Sequence, residues 1–293
     1  MNFFPGWAGG KRVMRLKPRF HPDVNKWWMC DVGRYGYHAI DDNRLLQPQV
    51  REQGTLRSAT WDEAMARVTE AISRLKAAGH LDRVGVVLST DMTNEELYLA
   101  KRLYAALGID QVTVRGPRPT QGDQVLLQAD RSPNTRGAQA LSLPFESDAL
   151  LTSAMNHECS VLIVHDHDLV KLCGEAQAKA LSSLDLLVFV GSNMHGSLDL
   201  AHVVLPGAVY AEKDGTLTNV QGRVQRINAA FPPIGEARPA LAILFDVGKR
   251  LGVELPAAIA DTVFQEMAAH EKAFHGLSYE VLGDCGAMLN GAA

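Results

Sequence analysis

The 293 residues contain no C-x-x-C pair, no Walker loop, no H-E-x-x-H helix and no nucleophile–base–acid set. Each absence removes a class of function. Zinc and iron–sulphur sites built from a single chain draw on closely spaced thiolates. The four cysteines here stand far apart, at Cys30, Cys159, Cys173 and Cys285. That dispersion also argues against a disulfide framework, and Cys159, Cys173 and Cys285 read as small buried hydrophobes. No apolar run reaches the roughly 18 residues that a membrane helix requires. A net charge of −4 gives no electrostatic footprint for nucleic acid. The N-terminal stretch "MNFFPGWAGGKRVMRLKPR" places its apolar residues before its basic ones, the reverse of a secretory signal, so the expected location is cytoplasmic. What is present is 46% hydrophobic and 21% charged, the composition of a globular protein large enough for two ordinary domains.

The first 45 residues are rich in aromatics, basic residues and turn formers and lack helical periodicity, which predicts a small β-rich or irregular module. From Ser58 the pattern changes. Thr60 and Glu63 have capping-box spacing, Ala64, Val68, Ile72 and Leu75 share one face, and Gly79 can stop the helix. "RVGVVLS" (83–89) suits a buried parallel strand, Thr93 and Glu96 open a second helix that reaches Gly108, and "QVTV" (111–114) is a further strand. This is a βαβ unit. Periodicity dissolves between Arg115 and Leu143, a length that inside a compact domain is often functional or covered by a partner. It resumes with strands at 160–166, 184–191 and 202–206, a helix in "LCGEAQAKALSS", and amphipathic helices at 238–252 and 260–274. The fold class is therefore α/β, with mostly parallel sheet units covered by helices. The expected division is an N-terminal module at 1–45, a first α/β unit at 46–145 and a second with C-terminal helices at 146–293.

Ligands of parallel sheets lie beyond the carboxyl ends of the strands. Here those ends are Ser89-Thr90-Asp91, His165-Asp166 and Gly191-Ser192-Asn193. The run "VHDHD" (164–168) offers metal-ligand types, but neighbours on one turn seldom converge on an ion without help from elsewhere, so solvated polar residues are the expectation. "GSNMHGSLD" (191–199) is either an anion-cradling turn at a helix start or a plain strand-to-helix turn; it lacks the G-x-G-x-x-G spacing. "EKDGTLTNVQGRVQR" (212–226) joins two turn-permitting glycines to Glu212, Asn219, Arg223, Gln225 and Arg226. Composition leaves open whether it binds an anion or is ion-paired within itself.

Five segments, in order, carry a resemblance: "RVMRLKPRFHPDVNKWWMCDVGRYGY", "SATWDEAMARVTEAI", "TNEELYLAKRLYAALG", "ADRSPNTRGAQALSL" and "LAHVVLPGAVYAEKDGTLTNVQGRVQRINAAFPPIGEARPALAIL". Together with "FQEMAAHEKAFHGLSYEVLG" they resemble the molybdopterin oxidoreductase superfamily, and within it the large iron–sulphur subunits of bacterial NADH–quinone oxidoreductases, the respiratory complex I. The resemblance implies a reduced molybdopterin-oxidoreductase fold without an independent active site, acting in electron transfer inside a multisubunit NADH-oxidising complex. It would lie peripheral to the inner membrane, touching the membrane only through that complex. It implies that Cys30 is the fourth ligand of a [4Fe–4S] cluster. The other three thiolates would come from a C-x-x-C-x-x-x-C run that this sequence does not contain, and so from a partner chain. No segment matches a molybdenum ligand, and the region between Leu143 and Leu151 looks shortened, so no molybdopterin is expected. His202 stands where the family usually has aspartate. Were a pterin bound, Gly191, Ser192, Asn193, Glu212, Asn219 and Arg223 would contact it, and the chain would be part of a molybdenum or tungsten enzyme such as a formate dehydrogenase. The remaining alternative is a structural accessory subunit without cofactor.

Overall fold

The computed structural model describes residues 12–117, 121–123, 128–145 and 148–291, and the backbone of 2–5. Part of the aperiodic stretch after Arg115, and part of the shortened region after Leu143, lie outside the described residues. Twelve strands and ten α-helices are present among those described.

The N-terminal segment pairs β1 (Asn2–Pro5) antiparallel with β2 (Val13–Lys17) and then turns through the short α1 (Asp31–Tyr35). β3 (Gln49–Glu52) and β4 (Thr55–Ser58) form a hairpin whose two-residue loop, Gln53-Gly54, takes φ 48° and 83°. Positive φ at both loop residues is the twist-matched geometry for so short a turn.

The next elements follow local signals. α2 (Trp61–Ala78) starts where the Thr60 hydroxyl accepts Glu63 N–H, and it ends at Gly79 in the left-handed region. Glu63 does not complete a capping box, because its carboxylate bridges to Arg57 at 2.6 Å. β5 (Val84–Ser89) is buried along its whole length. α3 (Asn94–Leu107) carries a full capping box, with Thr93 N–H returning to Glu96 Oε2 at 2.9 Å, and Gly108 stops it. β6 (Gln111–Arg115), α4 (Thr135–Ala140) and α5 (Asp148–Met155) come next.

β7 (Val161–His165) returns beside β5. The helix expected in "LCGEAQAKALSS" is two pieces, α6 (Leu169–Cys173) and α7 (Glu175–Ala180), because Gly174 sits at φ 85° and ψ 153°, outside helical space. β8 (Leu186–Gly191), β9 (Val203–Pro206) and the hairpin of β10 (Gly215–Thr218) with β11 (Arg223–Ile227) lead to α8 (Ala240–Arg250) and α9 (Ala260–His270). α10 (Tyr279–Leu282) and β12 (Ala287–Met288) close the described chain.

One seven-stranded sheet, ordered β4-β3-β9-β8-β7-β5-β6, takes strands from both halves of the chain. β9, β8, β7, β5 and β6 are mutually parallel, and the β3–β4 hairpin adds antiparallel strands at the β9 edge. α2, α3, α8 and α9 pack on one face, and α5, α6 and α7 on the other. Because both faces are covered, the parallel strands are continuous apolar runs without alternation. The chain leaves β5 toward β6 and comes back to β7 on β5's other side. The strand order therefore reverses between β5 and β7, the place where such sheets open a crevice at their carboxyl ends.

Candidate functional site

A cavity of about 510 Å³ lies at that reversal. Asp91, just after β5, Asp166, just after β7, and Ser192 and Asn193, just after β8, contribute to its walls, and Lys213 comes from the connection before β10. Ile40, Pro133, Phe189, Val209, Tyr210 and Leu217 make the remainder largely apolar. Volume and lining are those of a small-molecule cleft.

The strand ends are more buried than the solvated turn expected for residues 164–168. His165 is only 2% exposed, enclosed between strands and helices, and burial pushes its pKa down to about 3, so the ring is neutral. Asp166 takes φ 52°, a left-handed conformation that aspartate tolerates better than most residues. In that pose its N–H meets Val190 O at 2.8 Å and its Oδ1 accepts Ser192 N–H at 3.2 Å. Burial raises its pKa to about 7, and nearby Asp91 and Glu96 push the same way against the pull of Lys213. Lys213 is itself buried. Desolvation opposes its charge, but Glu96 overcomes this, with Nζ 2.7 Å from Glu96 Oε2, and the pKa is raised. His167 gives a ring nitrogen to Leu88 O at 3.2 Å, and burial lowers its pKa too. Among the described residues no three His, Cys, Asp or Glu side chains converge as a metal site.

Of the residues named from sequence as pterin contacts, only Ser192 and Asn193 line the cavity, beside the strand-end residues Asp91 and Asp166. The amides of 191–199 are engaged internally: Ser192 N–H with Asp166, and Met194 N–H with Asn43 O at 2.7 Å. The Asn193 side-chain amide donates to Ala39 O and Asp42 O, both at 2.8 Å, fastening the N-terminal segment. After Gly191 comes a 3₁₀ turn (Gly196–Asp199) in place of an α-helix. A Cβ on Gly191 would overlap the Phe189 ring, so glycine is required there by packing.

Glu212 is the hub of a buried ion cluster. Its carboxylate accepts Arg44 at 2.7 and 3.0 Å, Arg12 at 2.6 Å, and the N–H groups of Val209 and Ile234 at 2.9 and 3.1 Å. Burial alone would raise its pKa; these donors more than offset that and hold it below the usual carboxylate range. Asn219 Oδ1 accepts Gln221 N–H and Arg223 N–H at 3.0 and 2.9 Å, shaping the β10–β11 turn. Arg223 reaches Asp23 at 3.1 Å, and Asp23 is 60% exposed, so this pair is not buried. His202 supplies Nδ1 to Leu187 N–H at 2.9 Å, extending the β8–β9 ladder as an acceptor.

Cys30 is exposed, at a second, open concavity that also touches Arg19, His21, Trp28, Met29 and Gln225. As the N-cap of α1 its sulphur accepts Gly33 N–H at 3.3 Å. Near it in the chain Trp27, Trp28, Val32 and Tyr35 are 66%, 80%, 84% and 60% exposed, large apolar side chains left mostly in the open, with the Trp27 ring against Phe20 at 5.0 Å.

One network had no signal beyond the run "SPNTRGAQAL". Asn134 donates to Met92 O at 2.9 Å and accepts Thr218 N–H at 2.8 Å, while Asn94 donates to the Thr216 and Thr218 hydroxyls at 3.0 Å. These buried amides lock α3, α4 and β10 together. Gly137 is needed because a Cβ there would overlap the amide oxygens of Asn94 and Asn134.

A pterin dinucleotide would bring anionic phosphates. Among the described residues the one lysine or arginine lining the cavity, Lys213, is paired with Glu96, while two carboxylates face the space, and the candidate donors Asn193, Asn219 and Arg223 are bonded within the protein. The donor set does not fit an anionic dinucleotide.

A family model described as molybdopterin oxidoreductase matches residues 44–138 and 128–250. NADH-quinone oxidoreductase subunit 3 of Thermus thermophilus is 36% identical over 125 residues, 40% of this chain and 16% of that protein. The putative formate dehydrogenase YrhE of Bacillus subtilis is 36% identical over 154 residues, 53% of this chain and 14% of that protein. The NADH-ubiquinone oxidoreductase 75 kDa subunit of Reclinomonas americana is 29% identical over 154 residues, 50% of this chain and 22% of that protein. The matched stretches thus span less than a quarter of these relatives. Acetylene hydratase from Pelobacter acetylenicus has the same fold, with a TM-score of 0.58 at 10% identity, covering 92% of this chain and 69% of that one.

Proposed function

On the premise that the chain belongs to the molybdopterin oxidoreductase family, we propose that it is a non-catalytic subunit of an NADH-oxidising electron-transfer complex. Among the described residues no helix is long and apolar enough to cross a membrane; the subunit would sit at the membrane only through its partners. It contributes Cys30 to a [4Fe–4S] cluster whose other three thiolates belong to a partner chain carrying C-x-x-C-x-x-x-C. The observation behind this reading is the exposed Cys30 sulphur near large apolar side chains left in the open, with Trp27, Trp28, Val32 and Tyr35 all more than half exposed. Large exposed apolar patches mark surfaces that a partner buries. Four thiolates hold such a cluster, and Gly33 N–H on the Cys30 sulphur is the kind of hydrogen bond that tunes its potential. Burying the aromatic rim would keep water from the iron.

The chain's own residues support this role over pterin chemistry. The loops that the pterin reading requires are committed to internal hydrogen bonds and ion pairs, and the cleft they border is acidic. The test is iron and acid-labile sulphide content of the chain purified alone and co-purified with its partner, after anaerobic reconstitution. Cluster iron should appear only in the co-purified complex. A stable cluster on the isolated chain, or near-stoichiometric molybdenum or tungsten in the complex, would contradict the proposal; the second result would favour the formate-dehydrogenase-type reading.

A further inference from the structure

The cavity between the ends of β5 and β7 is not used by the cluster role, and its chemistry points elsewhere. Lys213, its one lysine or arginine among the described residues, is paired with Glu96 at 2.7 Å. Asp166 is held through one oxygen only, Oδ1, and its other oxygen takes no hydrogen bond among the described residues. Asp91, at the mouth, makes no side-chain hydrogen bond or ion pair among them. Two carboxylates therefore face the cavity as uncommitted acceptors. His195, the remaining titratable group on the wall, is pushed toward the neutral form by burial. Phe189, Tyr210 and Leu217 line the same cavity. Aromatic faces attract a cation as well as the apolar body that carries it. No three ligand side chains converge as a metal site among the described residues, which disfavours a metal ion, and Lys213, already shared with Glu96, offsets only part of the charge of Asp91 and Asp166, which disfavours an anion.

We infer that this cavity binds a small organic monocation, an amine or amidinium on an apolar ring, with Asp166 and Asp91 as its charge partners and Phe189, Tyr210 and Leu217 enclosing the ring. A site built around anionic phosphates would need the opposite arrangement of charge, so the cleft has the place that open parallel sheets give to ligands but not the chemistry of a dinucleotide pocket. The inference stands independently of Cys30 and its cluster.

Calorimetric titration of the full chain with benzamidine, benzamide, benzoate and guanosine monophosphate tests it. Benzamidine should bind saturably, and at least about tenfold more tightly than the other three, a factor that corresponds to about 1.4 kcal/mol. Asp166→Asn and Asp91→Asn should each weaken benzamidine severalfold, and Leu217→Trp, which fills the cavity, should abolish it. The Asp91 side chain is exposed and makes no hydrogen bond among the described residues, so Asp91→Asn remains informative even if Asp166→Asn fails to fold. The inference is overturned if benzamidine shows no saturable binding below about 10 mM, a free energy weaker than about 3 kcal/mol. It is equally overturned if benzoate or the nucleotide binds as well, or if Asp91→Asn and Leu217→Trp leave the affinity unchanged.

Discussion

Replacing Glu212 by alanine removes the carboxylate shared by two guanidinium groups of the N-terminal segment; Arg12 keeps Asp41 at 2.9 Å, so Arg44 is the charge left without a carboxylate. Arg44 is 1% exposed at its side chain and Arg12 12%, so neither charge can be rehydrated without movement. Breaking a buried ion pair by deleting one partner costs about 3–5 kcal/mol, chiefly because the other charge is left buried. Val209 and Ile234 would also lose the acceptor for their N–H groups. Water entering the vacated space offsets part of this, and the expected loss is about 4 kcal/mol. That is a large share of the 5–15 kcal/mol by which domains are ordinarily stable. Urea unfolding followed by circular dichroism measures it, with the slope against denaturant unchanged. Glu212→Gln, which keeps one acceptor oxygen, should lose less. Its acid limb should also change. The folded pKa of Glu212 lies below its ordinary 4.5, so its contribution is complete above that value and is lost as pH falls through the folded pKa. The variant should therefore show a flatter decline below pH ~4.5. A loss under about 1 kcal/mol for Glu212→Ala would refute the view that this cluster fastens residues 12–45 to the α/β body.

Arg223→Ala should cost no more than about 1 kcal/mol in the same assay, because its partner Asp23 is largely in water. Glu95 is fully buried, and burial raises its pKa to about 7 against the pull of Thr216's donors; its contribution is present below about 4.5 and lost as pH rises through about 7. Glu95→Gln can keep the bonds to Thr216 and Tyr279, so its melting temperature should match the parent at pH ~5 and exceed it at pH ~8, by on the order of 2 kcal/mol in stability; a parent that is the more stable at the higher pH would contradict this. Gly137→Ala should cost about 2 kcal/mol or more through overpacking against Asn94 and Asn134, and unchanged urea stability would contradict it.

The signals that worked in the sequence were local. Thr60 and Thr93 start their helices, Gly79 and Gly108 stop them, and the apolar runs at 84–89, 161–165 and 186–191 are parallel strands. The strand ends Asp91, Asp166 and Ser192 were legible as cavity positions for the same reason, since a parallel sheet offers its ligands the carboxyl edge. The β3–β4 hairpin was missed because its strands are four residues long and one of them is largely exposed, which leaves little periodicity to detect. Gly174 split a helix that its flanking residues favoured, through backbone conformation alone. Nothing local links Arg44 to Glu212, 168 residues apart, or Asn94 to Thr218, 124 apart; such pairings exist only once the sheet order has formed. Lys213 escaped notice for a related reason. Its role follows from Glu96 lying opposite, and a lone lysine in a loop reads as a solvated charge.

The central claim concerns one sulphur atom. Electron paramagnetic resonance of the reduced, assembled complex, recorded with the parent chain and with Cys30→Ser, tests it most directly when iron is quantified on the same samples. The account predicts that one cluster signal is lost or altered, with a matching fall in iron, while every other signal persists and Cys159→Ser leaves all of them in place, since Cys159 is buried and its thiol donates to Val161 O. An unchanged spectrum and unchanged iron in an intact Cys30→Ser complex would contradict it.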